Sequence, residues 1–247
     1  MLDLITSDQQ MIWLIVAFFY ILDNLKFLRG NQVVLQETAM LRWRADIPGT
    51  ASEFLGRKVF VLNLLVPYGM AVQLGWLSLG SPNDQELVRR ADRLVRIACG
   101  KILPLRQISA FAFLTFFIAG PILTHYVGLG RALVTIIPVY ITLLLIFFIS
   151  MAQGRRFWKL SVAQIGSLTF GAAICPGYLV NSTRRVTWDF LKLPVDGAAY
   201  GLLRCNPAYA DRLGAALDFA LDEFRERCVD NPEEMERLDS YRKSVMK

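Results

Sequence analysis

The side chains that could do chemistry in this 247-residue chain are few, and their spacing argues against most catalytic schemes. There is one histidine, His125. A zinc-protease motif needs two histidines one helical turn apart, so HExxH chemistry is excluded. A Cys–His nucleophile would have to bring Cys175 to His125, and the apolar runs that carry them place the two at opposite faces of a membrane. His125 therefore reads as an interfacial or packing residue, and Cys175 as a small side chain fitted beside Pro176. Neither GxSxG nor a P-loop is present, which removes support for a lipase-type nucleophile and for phosphate cradling. The four cysteines, Cys99, Cys175, Cys205 and Cys228, form no CxxC pair, so neither a disulfide framework nor a zinc site is expected. No catalytic set, metal or cofactor emerges, and the chain reads as a non-enzyme more readily than as an enzyme.

Binding chemistry is better represented. Arg106, Arg155, Arg156, Arg184 and Arg185 flank apolar runs, where a guanidinium can hold an anionic lipid headgroup. Trp43 stands between Arg42 and Arg44, a composition suited to a partner or lipid surface. Leu213, Leu217, Leu221 and Phe224 recur at helical spacing in the tail and form an apolar face for docking a partner. Asn63, Gln73, Gln164 and Asn181 are the polar residues of the apolar runs, best used to bond neighbouring helices or backbone freed by proline.

These residues are positioned by long uncharged segments. No acidic residue occurs between Asp92 and Asp189. Runs at 11–22, 59–79, 107–129, 132–151 and 160–183 are apolar, and a charge in the bilayer core costs roughly 2.5–3.5 kcal/mol. The sequence thus predicts an integral membrane protein. The start, MLDLITSDQQ, lacks a basic n-region, so the first run reads as an anchor and not a cleaved signal. Charge is uneven. Residues 1–204 hold 20 Lys/Arg against 11 Asp/Glu, and residues 205–247 hold 7 against 10. The basic excess belongs to the membrane part, where it sets orientation and attracts anionic lipid. Nucleic acid is not an expected partner, because no basic patch accompanies a nucleic-acid-binding motif.

Ser7 with Gln10 caps a first helix over 8–28. Alternating residues over 32–47 predict a β-hairpin outside the bilayer. Thr50 with Glu53 caps a helix entering the second run, and Ser81–Pro82 opens a basic amphipathic helix over 84–101. The third and fourth runs, joined only by 128–131, form a transmembrane hairpin, with Gly120–Pro121 kinking the first of the pair. A basic–aromatic turn at 155–159 precedes the fifth run. The tail holds an amphipathic helix over 207–229 and a charged helix after Pro232.

Five crossings cannot satisfy the positive-inside rule. Loop 29–58 has five Lys/Arg, and loop 80–106 has six and would lie on the other side. If the second and fifth runs enter and leave on the same side, every basic segment becomes cytoplasmic and only the N-terminus and the 124–131 turn face out. Both of these runs carry a Pro–Gly–Tyr cluster, Pro67–Tyr68–Gly69 and Cys175–Pro176–Gly177–Tyr178, suited to the tip of a re-entrant segment. The expected fold is an all-α polytopic membrane protein of about three transmembrane helices plus two Pro/Gly-broken re-entrant or interfacial segments, or five spans, with a small cytoplasmic β-hairpin and a C-terminal helical tail. Its expected divisions are 1–30, 31–57, 58–106, 107–154, 155–183 and 184–247. The compact loops point to a bacterial inner membrane with a cytoplasmic C-terminus.

Three functions fit. The favoured one is a non-enzymatic subunit or scaffold that docks a protein partner or another copy of itself through its cytoplasmic face. An oligomeric transporter or channel component with re-entrant helices is the second. A membrane enzyme acting on anionic lipid headgroups is the third.

Overall fold

The computed structural model describes residues 8–29, 31–38, 43–47, 53–54, 57–76, 85–205, 207–227 and 232–245. The caps expected at Ser7, Thr50 and Ser81–Pro82 lie outside the described residues, as does Cys228. The chain is mostly helical with small sheets, and it forms two compact units that interleave in sequence. The first comprises residues 1–25, 63–68 and 99–190; the second comprises 26–62, 69–98 and 191–247.

The first unit begins with α1 (Asp8–Asn24). The helix stops four residues short of the expected end because Asn24 turns its side-chain amide back onto the Tyr20 carbonyl at 2.8 Å. Leu25–Leu28 instead forms strand β1 of the second unit's sheets, and Leu28 is fully buried. Trp13 links α1 to the helix after Gly120. Its indole donates to Thr124 Oγ1 at 2.9 Å, and its ring occupies the space a Cβ on Gly120 would need.

Helix α2 (Gln85–Leu114) fuses two elements that the sequence separates, the basic amphipathic helix and the third apolar run. It passes through Pro104, enters a π-helical turn at Thr115–Ala119 and continues as α3 (Gly120–Val127). Pro121 lacks an N–H and its ring crowds the carbonyl one turn back, so the expected kink is absorbed by a widened turn. Gly128, at φ +80°, reverses the chain into α4 (Leu129–Trp158), which packs antiparallel on α3. The basic–aromatic cluster is the last turn of α4, closed by Lys159 in the left-handed region.

The fifth run is three short helices, α5 (Val162–Ile174), α6 (Pro176–Val180) and α7 (Ser182–Phe190). A capping box opens α5: Ser161 Oγ accepts from the Gln164 amide at 3.1 Å, and Gln164 Oε1 accepts from the Ser161 amide at 2.8 Å. Pro176 forces Cys175 into an extended conformation and cannot donate to the Ala172 carbonyl. The Tyr140 hydroxyl of α4 supplies the missing donor to Ala172 and also lies 3.1 Å from the Ala173 carbonyl.

Two helical stretches are long and apolar enough to cross a membrane, Gln85–Val127 and Leu129–Trp158. The apolar parts of α1 and α5, Met11–Asn24 and Val162–Ile174, are shorter. Large apolar side chains stand exposed along these helices, among them Phe111 at 61%, Val134 at 74% and Phe170 at 67%.

The second unit corrects the all-α expectation. Strand β2 (Gln32–Glu37) lies between β3 (Trp43–Asp46) and β6 (Ala71–Gly75), antiparallel to both. The expected hairpin is thus part of a three-stranded sheet, with Leu35 opposite Ala45 on one side and Val72 on the other. A second sheet has the order β1, β5 (Arg57–Val61), β4 (Glu53–Phe54). The second apolar run is therefore not a helix. β-Branched Val59, Val61 and Val72 favour strands, Pro67 interrupts helix, and Val72 and Leu74 bury against β2.

Helix α8 (Gly197–Arg204), which no sequence signal marked, covers this sheet. A Cβ on Gly197 would meet Leu74 at 2.7 Å and one on Gly201 would meet Ala45 at 2.8 Å, so these glycines set the helix–sheet approach. Helices α9 (Pro207–Arg227) and α10 (Pro232–Val245) complete the unit. Trp76 is fully buried in ring contact with Phe224 of α9 and Tyr241 of α10.

Candidate functional site

The densest polar cluster of the first unit surrounds the end of α1. Its helix termination leaves Asn24 Oδ1 facing inward, where it accepts from the Arg184 guanidinium. The same guanidinium donates to the carbonyls of Asn63 and Val66, the latter at 2.5 Å. Tyr20 reaches the same loop, its hydroxyl donating to the Leu64 carbonyl at 2.5 Å. The 63–68 loop and α6 thus both meet α1 within this unit. Gly177 approaches so closely that a Cβ there would lie 3.0 Å from the Tyr20 backbone nitrogen.

Arg184 is 3% exposed. Its donors are engaged within the chain, which removes it from the expected headgroup-binding set. Arg185, next along α7, is half-buried. Its guanidinium stacks 3.9 Å above the Tyr178 ring and approaches Asp23 at 3.7 Å. Asp23 also accepts from the Asn181 side chain at 3.0 Å. Further along, Ser109 of α2 bonds Ser182 at 3.0 Å and Thr183 at 3.1 Å, fixing the start of α7.

An apolar groove of about 460 Å³ adjoins this cluster, within the range of small-ligand sites. One wall is the Ile12, Ile15, Val16 and Phe19 face of α1, and the other is formed around Ile174, Cys175, Pro176 and Tyr178. Asp23 continues the α1 wall one turn beyond Phe19, and Tyr178 carries Arg185 on its ring.

The other residues expected to bind something are dispersed. Arg155 and Arg156 are exposed at the end of α4, and Arg155 donates to the Leu160 carbonyl at 3.1 Å. Arg106 is partly buried within α2. His125 is exposed, its ring edge-on to Tyr126. Pro67 and Gly69 are buried and Tyr68 is half-buried, all three in irregular chain between strands and not at the tip of a helical hairpin.

In the second unit, Leu213, Leu217 and Leu221 are buried core residues and Phe224 packs on Trp76, so this helix face is occupied by the chain's own sheet and helices. The amphipathic spacing was legible; the occupant was not. Trp43 is half-exposed on β3, at a sheet edge, beside a small depression lined by Arg44, Asp46, Tyr209 and Arg212. Asp92 of α2 is bonded by Arg204 and by the Tyr200 hydroxyl at 2.9 Å, both on α8. The Arg204 hydrogen bond holds the Asp92 carboxyl below its ordinary range. Among the described residues no group of three or more His, Cys, Asp or Glu is placed to hold a metal ion.

Comparison with known protein families, curated proteins and solved structures finds no match to this chain.

Proposed function

We propose that the chain is a non-enzymatic integral membrane component of a larger complex, anchored by its first unit and presenting its second unit to a partner on the cytoplasmic side. The observation that carries this reading is the apolar outer surface of α2–α4. Exposed Phe111, Val134 and Leu145, the last at 59%, are costly in water and ordinary against lipid or a neighbouring helix. In this reading α1, the 99–127 rod and α4 are three crossings, with the N-terminus outside. The strand structure of 57–61 and 71–75 supports keeping 25–98 on one side. The short broken helices of 162–190 support a segment that returns to the side it left.

The exposed basic residues other than Arg131 then share one side. Arg89, Arg90, Arg93 and Arg96 on α2 and Arg155 and Arg156 on α4 fall in the cytoplasmic segments, as the positive-inside rule requires. Arg184 ties the end of α1 to the 63–68 loop, which supports a structural role over a catalytic one. The half-exposed Trp43 on the β3 edge is the surface feature best suited to a partner, since aromatic anchors at sheet edges combine area with backbone pairing.

The test is purification of the C-terminally tagged chain in mild detergent, with mass spectrometry of what accompanies it. A stoichiometric partner is expected, with recovery reduced at least about tenfold in Trp43→Ala, the effect of losing a modest hot spot. Recovery of the chain alone, or only as a homo-oligomer, would overturn the reading.

A further inference from the structure

We propose that the groove between α1 and α5–α6 is a binding site for one anionic glycerophospholipid, with an acyl chain lying along the groove and the headgroup phosphate on Arg185. This inference rests on the membrane reading of the first unit but not on partner docking.

The lining favours an acyl chain over other occupants. Along its lining from Ile12 to Phe19 the α1 wall rises about 10 Å at the helical repeat. That is shorter than one leaflet of a hydrocarbon core about 30 Å thick and takes the headgroup-proximal part of an acyl chain. Its lining is predominantly apolar along that length, and Asp23 follows Phe19 by one helical turn on α1. A lipid has this same division of chain and head.

Charge favours an anionic head. The groove ends at Tyr178, whose ring carries the Arg185 guanidinium at 3.9 Å. Asp23 approaches that guanidinium only at 3.7 Å, longer than a charge-assisted hydrogen bond of about 2.7–2.9 Å. Asp23 is also engaged by Asn181. Arg184, buried alongside, places a second guanidinium at the end of α1. A phosphate can accept from Arg185 without displacing the Asn181–Asp23 bond.

The experiment is delipidation of the purified full chain in detergent, then titration with phosphatidylglycerol or phosphatidylcholine, read by native mass spectrometry. One phosphatidylglycerol per chain is expected, preferred about fivefold over phosphatidylcholine, the worth of roughly one basic residue beside an anionic surface. Arg185→Gln should abolish that preference, whereas Arg131→Gln, at the α3–α4 turn, should leave it intact. Ile174→Trp and Phe19→Trp, which fill the groove from opposite walls, should each abolish tight binding of both lipids. Two groove variants are used so that one misfolded protein does not decide the result. Equal affinity for the two lipids, or unchanged selectivity in Arg185→Gln, would overturn the proposal. Oxidative crosslinking of Cys175 between two copies at high yield would also overturn it, because the groove would then be an interface. Alkaline carbonate extraction separates the two levels of failure. Release of the chain from membranes would overturn the membrane reading as well; a retained chain without lipid selectivity would overturn only the lipid site.

Discussion

Arg184 shows what a single residue does in this chain. It is a buried cation whose acceptors come from two separate stretches: the side chain of Asn24 at the end of α1 and the carbonyls of Asn63 and Val66 in the 63–68 loop. Arg184→Ala leaves these acceptors without their donor, and breaking a buried charged network costs about 3–5 kcal/mol. For a chain of this size the melting temperature in detergent should fall by roughly 10 °C. Arg184→Lys keeps the charge but not the planar fork, and should recover only part of the loss. A melting temperature unchanged in Arg184→Ala would show that the cluster is not structural. From sequence, Arg184 and Arg185 were indistinguishable, both reading as headgroup ligands. They diverge because successive residues of a helix point about 100° apart, and α7 turns one inward and the other to the edge of the groove.

At the scale of elements, the attachment of α8 to α2 makes a pH prediction. Asp92 is held below its ordinary pKa of 3.8, first by its hydrogen bond to Arg204. A carboxyl depressed in the folded state adds stability above its unfolded pKa, and that contribution is lost as pH falls through the lower folded value. Both partners are partly exposed, so the contribution is at most about 1 kcal/mol at neutral pH. Asp92→Asn should therefore destabilise the second unit slightly at pH 7, with the difference from the natural chain closing below about pH 3.8. Thermal melts at the two pH values read this directly, and a gap that persists in acid would contradict it.

Elements were legible where the local signal was strong. Helix α4, the α3–α4 reversal and the antiparallel pairing of 32–37 with 43–46 follow from apolar length, glycine placement and alternation. The break at Cys175–Pro176 follows from proline's missing donor. The cap at Ser161–Gln164 carries the same Ser-x-x-Gln spacing as the one recognised at Ser7, but it is masked by the hydrophobic run around it. Segment 71–75 was misread because periodicity cannot separate a short buried strand from a helix, and its partner β2 lies far away in sequence. Helix α8 went unseen because two glycines, which lower helix propensity, are what its packing on the sheet requires.

For the whole molecule, the interleaving of two units is the feature least visible in sequence. The chain leaves the first unit at Leu25, returns for 63–68, and returns again at Cys99. Such a path is fixed by long-range contacts, Tyr20 to Leu64 and Arg184 to Asn63 and Val66 among them, which no local pattern encodes. Two helical stretches meet the length and hydropathy of a membrane span, and the proposed function takes them as embedded with their basic ends in the cytoplasm.

The most direct test is labelling of single cysteines, in a background lacking the four natural ones, with a membrane-impermeant maleimide on intact cells. Gly130→Cys, at the start of α4, should label from outside. Asp84→Cys and Arg156→Cys should label only after permeabilisation. Outside labelling at 84 or 156, or no difference between intact and permeabilised cells at 130 and 156, would contradict the account.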